Sequence, residues 1–205
     1  MFKMFISIAI SLTTCFSGFS YNINQLYHTV KDFHVNATDN WEQVESDLSL
    51  SDEKIMQILS IYHSNAQTGR CNGEGVHISQ TDIEEFKQYY ATAYSMFPDD
   101  YDHYFKMATT WISRNGEISL SCYYKEDGMF LRGSNMNAQA ANVANAFRLL
   151  KEKHQISPHW DNTASMEAQF HCHAATIGKL KYPWNIEPWR TESSLPIVII
   201  KGCNP

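Results

Sequence analysis

The chain has 205 residues, 43% hydrophobic and 19% charged, with 22 Asp and Glu against 16 Lys and Arg and a net charge of −6. An acidic chain without blocks of Lys and Arg is poorly suited to neutralising a phosphate backbone, which excludes nucleic acid as its main partner. No stretch after residue 20 is long and apolar enough to read as a membrane span, so the mature chain is expected to have no transmembrane segment.

In chain order, Lys3 supplies a cationic start and Met4 to Thr14 an apolar run, the pattern of a secretory signal peptide over residues 1–20. Gly18 and Ser20 put small residues at the −3 and −1 positions of a cleavage site, which predicts Tyr21 as the mature N-terminus. The expected location is periplasmic or secreted; lipidation at Cys15 is the alternative, with Thr14 a poor fit before that cysteine. Loss of the signal takes away Cys15 and leaves Cys71, Cys122, Cys172 and Cys203, an even set that reads as two disulfides in an exported chain. Of the three pairings, Cys71–Cys122 and Cys172–Cys203 are expected, since each closes a loop within one half of the chain, and such loops are worth about 3 to 4 kcal/mol each. There is no C-x-x-C, which argues against a redox motif or a paired-cysteine zinc site.

Ile23, Leu26, Val30 and Phe33 recur at helical steps and predict a first amphipathic helix. The acids from Asp39 to Glu53 read as a solvated face, and Asn36-Ala-Thr38 is a glycosylation sequon that matters only in a host that uses it. Ser51, followed by Asp52 and Glu53, predicts the capped start of a second helix through Ile55, Ile58, Leu59 and Tyr62. Thr81-x-x-Glu84 predicts a capping box for a third, with Phe86, Tyr89, Tyr90 and Tyr94 on its face and Pro98 closing it.

After residue 105 the period changes to two. Ile118, Leu120, Cys122 and Tyr124 alternate with Ser119, Ser121 and Tyr123, while Asn115-Gly116 and Asp127-Gly128 mark tight turns. These predict a three-stranded antiparallel meander over roughly residues 105–133, then an alanine-rich helix from Asn137 to about His154. Residues 163–177 predict a short helix with Gly178 as its C′ residue, and Leu195 to Lys201 a buried strand. The expected fold class is α+β, an antiparallel β-meander flanked by helices and stabilised by disulfides. The expected organisation is a signal at 1–20, a helical region plus meander at 21–155 and a Trp/His/Cys module at 156–205, continuous or not with residues 105–155.

Three blocks carry a family resemblance. Ser165-Met-Glu-Ala-Gln-Phe-His-Cys172-His173, Trp184-Asn-Ile-Glu-Pro-Trp-Arg190 and the terminal Cys203-Asn-Pro205 resemble a domain of unknown function in exported bacterial proteins, over roughly residues 156–205 and reaching back toward the meander. The resemblance implies a bacterial, secreted or surface-associated protein and brings no activity, cofactor or catalytic residue with it.

The same segment holds the candidate chemistry. His171-x-His173 on a strand would put two imidazoles on one face, with His159, Asp161 or Glu167 as a third metal ligand; on a helix the two point about 200° apart and cannot share an ion. The local pattern favours the helix, so no metal or cofactor is expected. Met166, Phe170 and His173 would then line one helix face and Glu167 and His171 the adjoining one. His159, Asp161, His173, Glu187 and Arg190 are the candidate catalytic set: a carboxylate orienting a histidine that activates water, with the guanidinium holding an anion. Ser165 in a first helical turn reads as a capping residue rather than a nucleophile. Trp184, Asn185 and Trp189 are the candidate ligand-binding set, an aromatic platform for a carbohydrate or peptide; a buried strap pinned by Glu187 and Arg190 is the competing reading. Two functions follow: an effector-like or envelope-associated protein that binds a protein, peptide or carbohydrate, or a secreted hydrolase.

Overall fold

The helix α5, Met136–His154, organises the molecule, and every residue from Asn137 to Leu150 is buried. Its alanines, 138, 140, 141, 144 and 146, present so little bulk that neighbours approach on all sides, at full burial. Its polar residues are paired rather than exposed. Asn137 donates to Glu85 (2.8 Å) and lies 2.9 Å from His63 Nε2, and Asn142 donates to the carbonyls of Gly128 and Met129. Arg148 pairs with Glu152 and Asp99. A polar side chain buried this way is tolerated because it exchanges water for a protein partner.

The computed structural model describes residues 51–68 and 76–204. The predicted signal, cleavage site, Cys15, first helix, sequon and Cys71 lie outside the described residues, as does the side chain of Tyr94. Packed round α5 are α1 (Asp52–Thr68), α2 (Gln80–Met96), the short α3 (Tyr101–Tyr104) and α4 (Glu126–Met129), and α6 (Thr163–Ala175). Strands β1 (Thr110–Arg114), β2 (Glu117–Cys122) and β3 (Trp184–Ile186) form one antiparallel sheet in that order, and α7 (Leu195–Ile200) closes the chain. The fold is α+β, with seven helices and three strands among the described residues, locked by the Cys172–Cys203 disulfide.

Several expectations hold. Ser51 Oγ accepts from Lys54 N at the start of α1, and Phe86, Tyr89 and Tyr90 are buried on α2. Asn115 and Gly116 both take positive φ, 52° and 86°, at the β1–β2 turn, as a tight hairpin requires.

Others are corrected. The capping box of α2 lies two residues earlier than Thr81-x-x-Glu84: Ser79 N donates to Asp82 Oδ2 (2.8 Å) and Asp82 N to Ser79 Oγ (3.2 Å). The meander has only two of its strands. After Tyr124 the chain turns into α4, because Gly128 must pass so close to α3 that a Cβ there would lie 2.3 Å from the His103 carbonyl oxygen. The third strand comes from 60 residues further on, with Trp184 opposite Cys122 and Ile186 opposite Leu120. Leu195 to Ile200 is a helix, not a strand. Pro196 has no N–H for a ladder and its fixed φ suits a first helical turn, and only Leu195 and Val198, three apart, are fully buried there. Gly178 does not take the left-handed C′ conformation; it is required because a Cβ would meet Phe130 at 2.8 Å and Trp184 at 3.1 Å. Cys122 is a free, buried thiol on β2 and not one half of the expected bridge to Cys71; apolar burial pushes its pKa well up, which makes it inert.

Candidate functional site

Helix α6 carries the first resemblance block, and its two histidines leave it in different directions. His173 stacks on Trp184, ring centroids 6.0 Å apart and 14° from parallel, with Phe170 edge-on to the same indole at 5.3 Å. His173 Nε2 lies 3.0 Å from Asn204 Oδ1, while Asn204 Nδ2 donates to the Asn185 carbonyl. One asparagine in the terminal block thus ties helix, strand and C-terminus together. Its neighbour, Cys203, is bonded to Cys172 across a Cα–Cα distance of 5.4 Å. Burial, aided by the Lys181 ammonium, lowers the His173 pKa to about 4, so the ring is neutral near pH 7.

His171 faces the other way, edge-on to Tyr62 of α1 at 6.4 Å. It is fully buried, and neither ring nitrogen has a hydrogen-bond partner among the described residues. Burial, with Lys54 nearby, lowers its pKa to about 3. Glu167, one turn earlier, pairs with Lys54 at 3.1 Å; burial raises its pKa against the pull of that ammonium. The helix therefore parts the two imidazoles as expected, with Phe170 and His173 on the strand side and Glu167 and His171 on the α1 side. Among the described residues no group of three or more His, Cys, Asp and Glu is placed to hold a metal ion.

The segment from Trp184 to Arg190 runs as a strap along α6. Gln169 accepts from Glu187 N (2.8 Å) and donates to the Glu187 carbonyl (3.0 Å), so one amide of the helix replaces a strand partner. Glu187 pairs with Arg190, whose guanidinium lies 4.2 Å over the Trp189 ring. Asn162 Nδ2 donates to the Pro188 carbonyl. Trp184 has no exposed surface and donates its Nε1–H to the Gly178 carbonyl. Asn185 accepts from Ser121 Oγ. Trp189 alone of this set is exposed, at 42%, so the two tryptophans do not form a two-ring platform.

Of the candidate catalytic residues, Glu187 and Arg190 are hydrogen-bonded to each other, and among the described residues no hydrogen bond joins either of them, or Asp161, to His159 or His173. Asp161 accepts from Asn162 N. His159 is exposed, edge-on to Trp111 at 5.7 Å. Among the described residues, His63, His154 and His173 hydrogen-bond to neutral groups, Asn137, Tyr101 and Asn204 respectively. Ser165, at 1% exposure, lies inside the first turn of α6 beyond its Asn162 N-cap, and its Oγ accepts from Gln169 Nε2.

Sequence reasoning missed an accessible aromatic cluster beside His159. Trp111 on β1 meets His154, His159 and Trp160 edge-on, at 6.4, 5.7 and 6.4 Å. Tyr101 OH lies 2.9 Å from His154 Nε2, and Lys153 Nζ sits 3.8 Å over the Tyr101 ring. Burial lowers the His154 pKa and raises that of Tyr101. Tyr101, Trp111, His154 and Trp160 are half-buried. The available signal was the density of tryptophan and histidine between residues 154 and 189; nothing in the spacing tied it to Trp111.

No helix of the described residues is long and apolar enough to cross a membrane. No curated protein and no solved structure matches the chain. The resemblance lies in the C-terminal part, from just before β1 to the last residue and so wider than the three blocks alone: residues 107–205 match the family described as "Protein of unknown function (DUF2599)".

Proposed function

We propose that the protein is an exported, non-catalytic binding protein whose C-terminal half presents an aromatic and imidazole surface to a protein, peptide or carbohydrate ligand. The observation that carries this reading is the separation of the two candidate catalytic imidazoles: His173 is sealed behind Trp184 and bonded to an amide, while His159 stands exposed against Trp111. General base catalysis needs a histidine within hydrogen-bond reach of both its orienting carboxylate and its substrate. His173 has neither an exposed edge nor a carboxylate on its bonded nitrogen. The Cys172–Cys203 bridge supports export, because disulfides persist in oxidising compartments, and the apolar run at Met4 to Thr14 supports a signal peptide as the route.

Half-buried tryptophans with a tyrosine and a histidine at their edge supply rigid apolar area with polar tips, the composition of recognition surfaces. The test is a glycan and peptide array probed with wild type, His159→Ala and Trp111→Phe. The expected result is a ligand retained by wild type and weakened by both substitutions. A hydrolysed substrate whose turnover is abolished in a stably folded His159→Ala or His173→Ala variant would establish the hydrolase instead.

A further inference from the structure

Two loop tips that Tyr182 draws together carry solvated apolar side chains between lysines. Met107 stands at the tip of the turn closed by Thr109 N to the Lys106 carbonyl, and is 97% exposed. Leu180 stands at the tip of the turn in which Leu180 N and Lys181 N both donate to the Ile177 carbonyl, and is 90% exposed. Tyr182, 46% exposed, joins the two turns: Lys106 Nζ lies 5.0 Å over its ring, and it packs edge-on against Tyr123 and Tyr124 at 5.5 and 5.2 Å. Lys179 Nζ lies 5.1 Å over Phe130 and reaches Glu126 at 3.2 Å, which places α4 and its flanks beside the second turn. The segments that build this surface, residues 101–107, 121–132 and 177–183, hold five Lys and Arg against three Asp and Glu in a chain whose net charge is −6.

We propose that this surface docks on an anionic lipid bilayer, with Met107 and Leu180 entering the headgroup–acyl boundary, Tyr182 at the interface and Lys106 and Lys179 on the lipid phosphates. Charge complementarity selects the occupant: these segments carry an excess of two positive charges on an otherwise acidic protein, and Lys106 and Lys179 adjoin Met107 and Leu180. Apolar side chains that protrude singly between ammoniums suit a fluid surface that each can enter separately, with the lysine stems lying along the boundary and their heads in the phosphate layer. The attraction of basic side chains to an anionic leaflet acts over about a Debye length and weakens with salt. The side chains named here are not those substituted in the test of the Trp111–His159 cluster, so the two proposals fail separately.

The experiment is sedimentation of the naturally processed protein with vesicles of phosphatidylcholine alone or of phosphatidylcholine and phosphatidylglycerol in equal parts. Wild type is expected to bind the anionic vesicles, to bind the neutral ones at least about tenfold less, and to be released by salt. Met107→Glu with Leu180→Glu should abolish binding while leaving the thermal melt unchanged, since both side chains are in solvent. Lys106→Gln and Lys179→Gln should each weaken it about fivefold, the effect of one basic residue near an anionic surface. Failure of wild type to bind, binding that ignores lipid charge, or full binding by the double glutamate variant would overturn the proposal. Capture of an acidic protein through the same residues without vesicle binding would overturn it too, in favour of a protein partner.

Discussion

The two sides of α6 make an instructive contrast. Both bury a histidine completely and both hold it far below its ordinary pKa. On the strand side His173 is stacked on an indole and hydrogen-bonded to Asn204; on the α1 side His171 has neither nitrogen satisfied among the described residues. The same residue type, two positions apart, is a pin on one face and an unpaired polar group on the other. Burial alone therefore does not say what a histidine contributes; its partner does. A buried polar group without one costs about 1 to 3 kcal/mol, and the loss is recovered by removing the polarity.

Acid should produce the largest effect, because it acts on both faces at once. Each histidine is harder to protonate in the fold than in the unfolded chain, so below about pH 6.5 the unfolded chain binds more protons. Stability is then full above pH 6.5 and falls as the pH drops toward about 4 for His173 and about 3 for His171. The raised pKa of Glu167 works in the opposite direction at acid pH, though only in part. Urea unfolding across pH 7 to 4 should show a loss of several kcal/mol, and His171→Leu should make the slope shallower.

Removal of the bridge comes next. Cys172→Ala with Cys203→Ala should cost about 4 kcal/mol, the chain-entropy value for the 31-residue separation, measured by denaturant unfolding. A far smaller cost would mean that Gln169 and Asn204 hold the strap by themselves. His171→Leu should then gain about 1 to 2 kcal/mol at pH 7, by ending the desolvation cost of two unpartnered nitrogens; a loss instead would expose a partner for His171 and erase the contrast. The smallest effect belongs to Glu187→Gln, about 0.5 kcal/mol, because the Glu187–Arg190 pair keeps contact with water and the strap hangs on Gln169.

Much of this was legible in the sequence where the deciding interactions are local. The helical period over residues 163–177 parts His171 from His173 without any tertiary information, and Asn115-Gly116 declares its own turn. The strap, with Glu187 paired to Arg190, followed from proline and two tryptophans in one short segment. What escaped depends on contacts far apart in the chain. Nothing in Trp184-Asn-Ile186 says that it will take the place beside β2 expected of the strand after Asp127-Gly128, and the need for glycine at 128 and 178 comes from His103, Phe130 and Trp184 pressing on them. The run Leu195 to Ile200 misled because β-branched residues favour strands, whereas Pro196 suits a first helical turn and the segment packs on α1 and α6 as a helix. The pairing of Cys122 with Cys71 rested on loop arithmetic alone; Cys122 is a free thiol on the buried central strand, and Cys71 lies outside the described residues.

The most direct test of a structural rather than catalytic C-terminal half is urea unfolding of His173→Ala beside wild type at pH 7, with hydrolytic activity assayed on the same samples. The expected result is a loss of about 3 kcal/mol, from the vacated space against Trp184 and the unpaired Asn204 amide. A variant as stable as wild type that has lost a hydrolytic activity would contradict it.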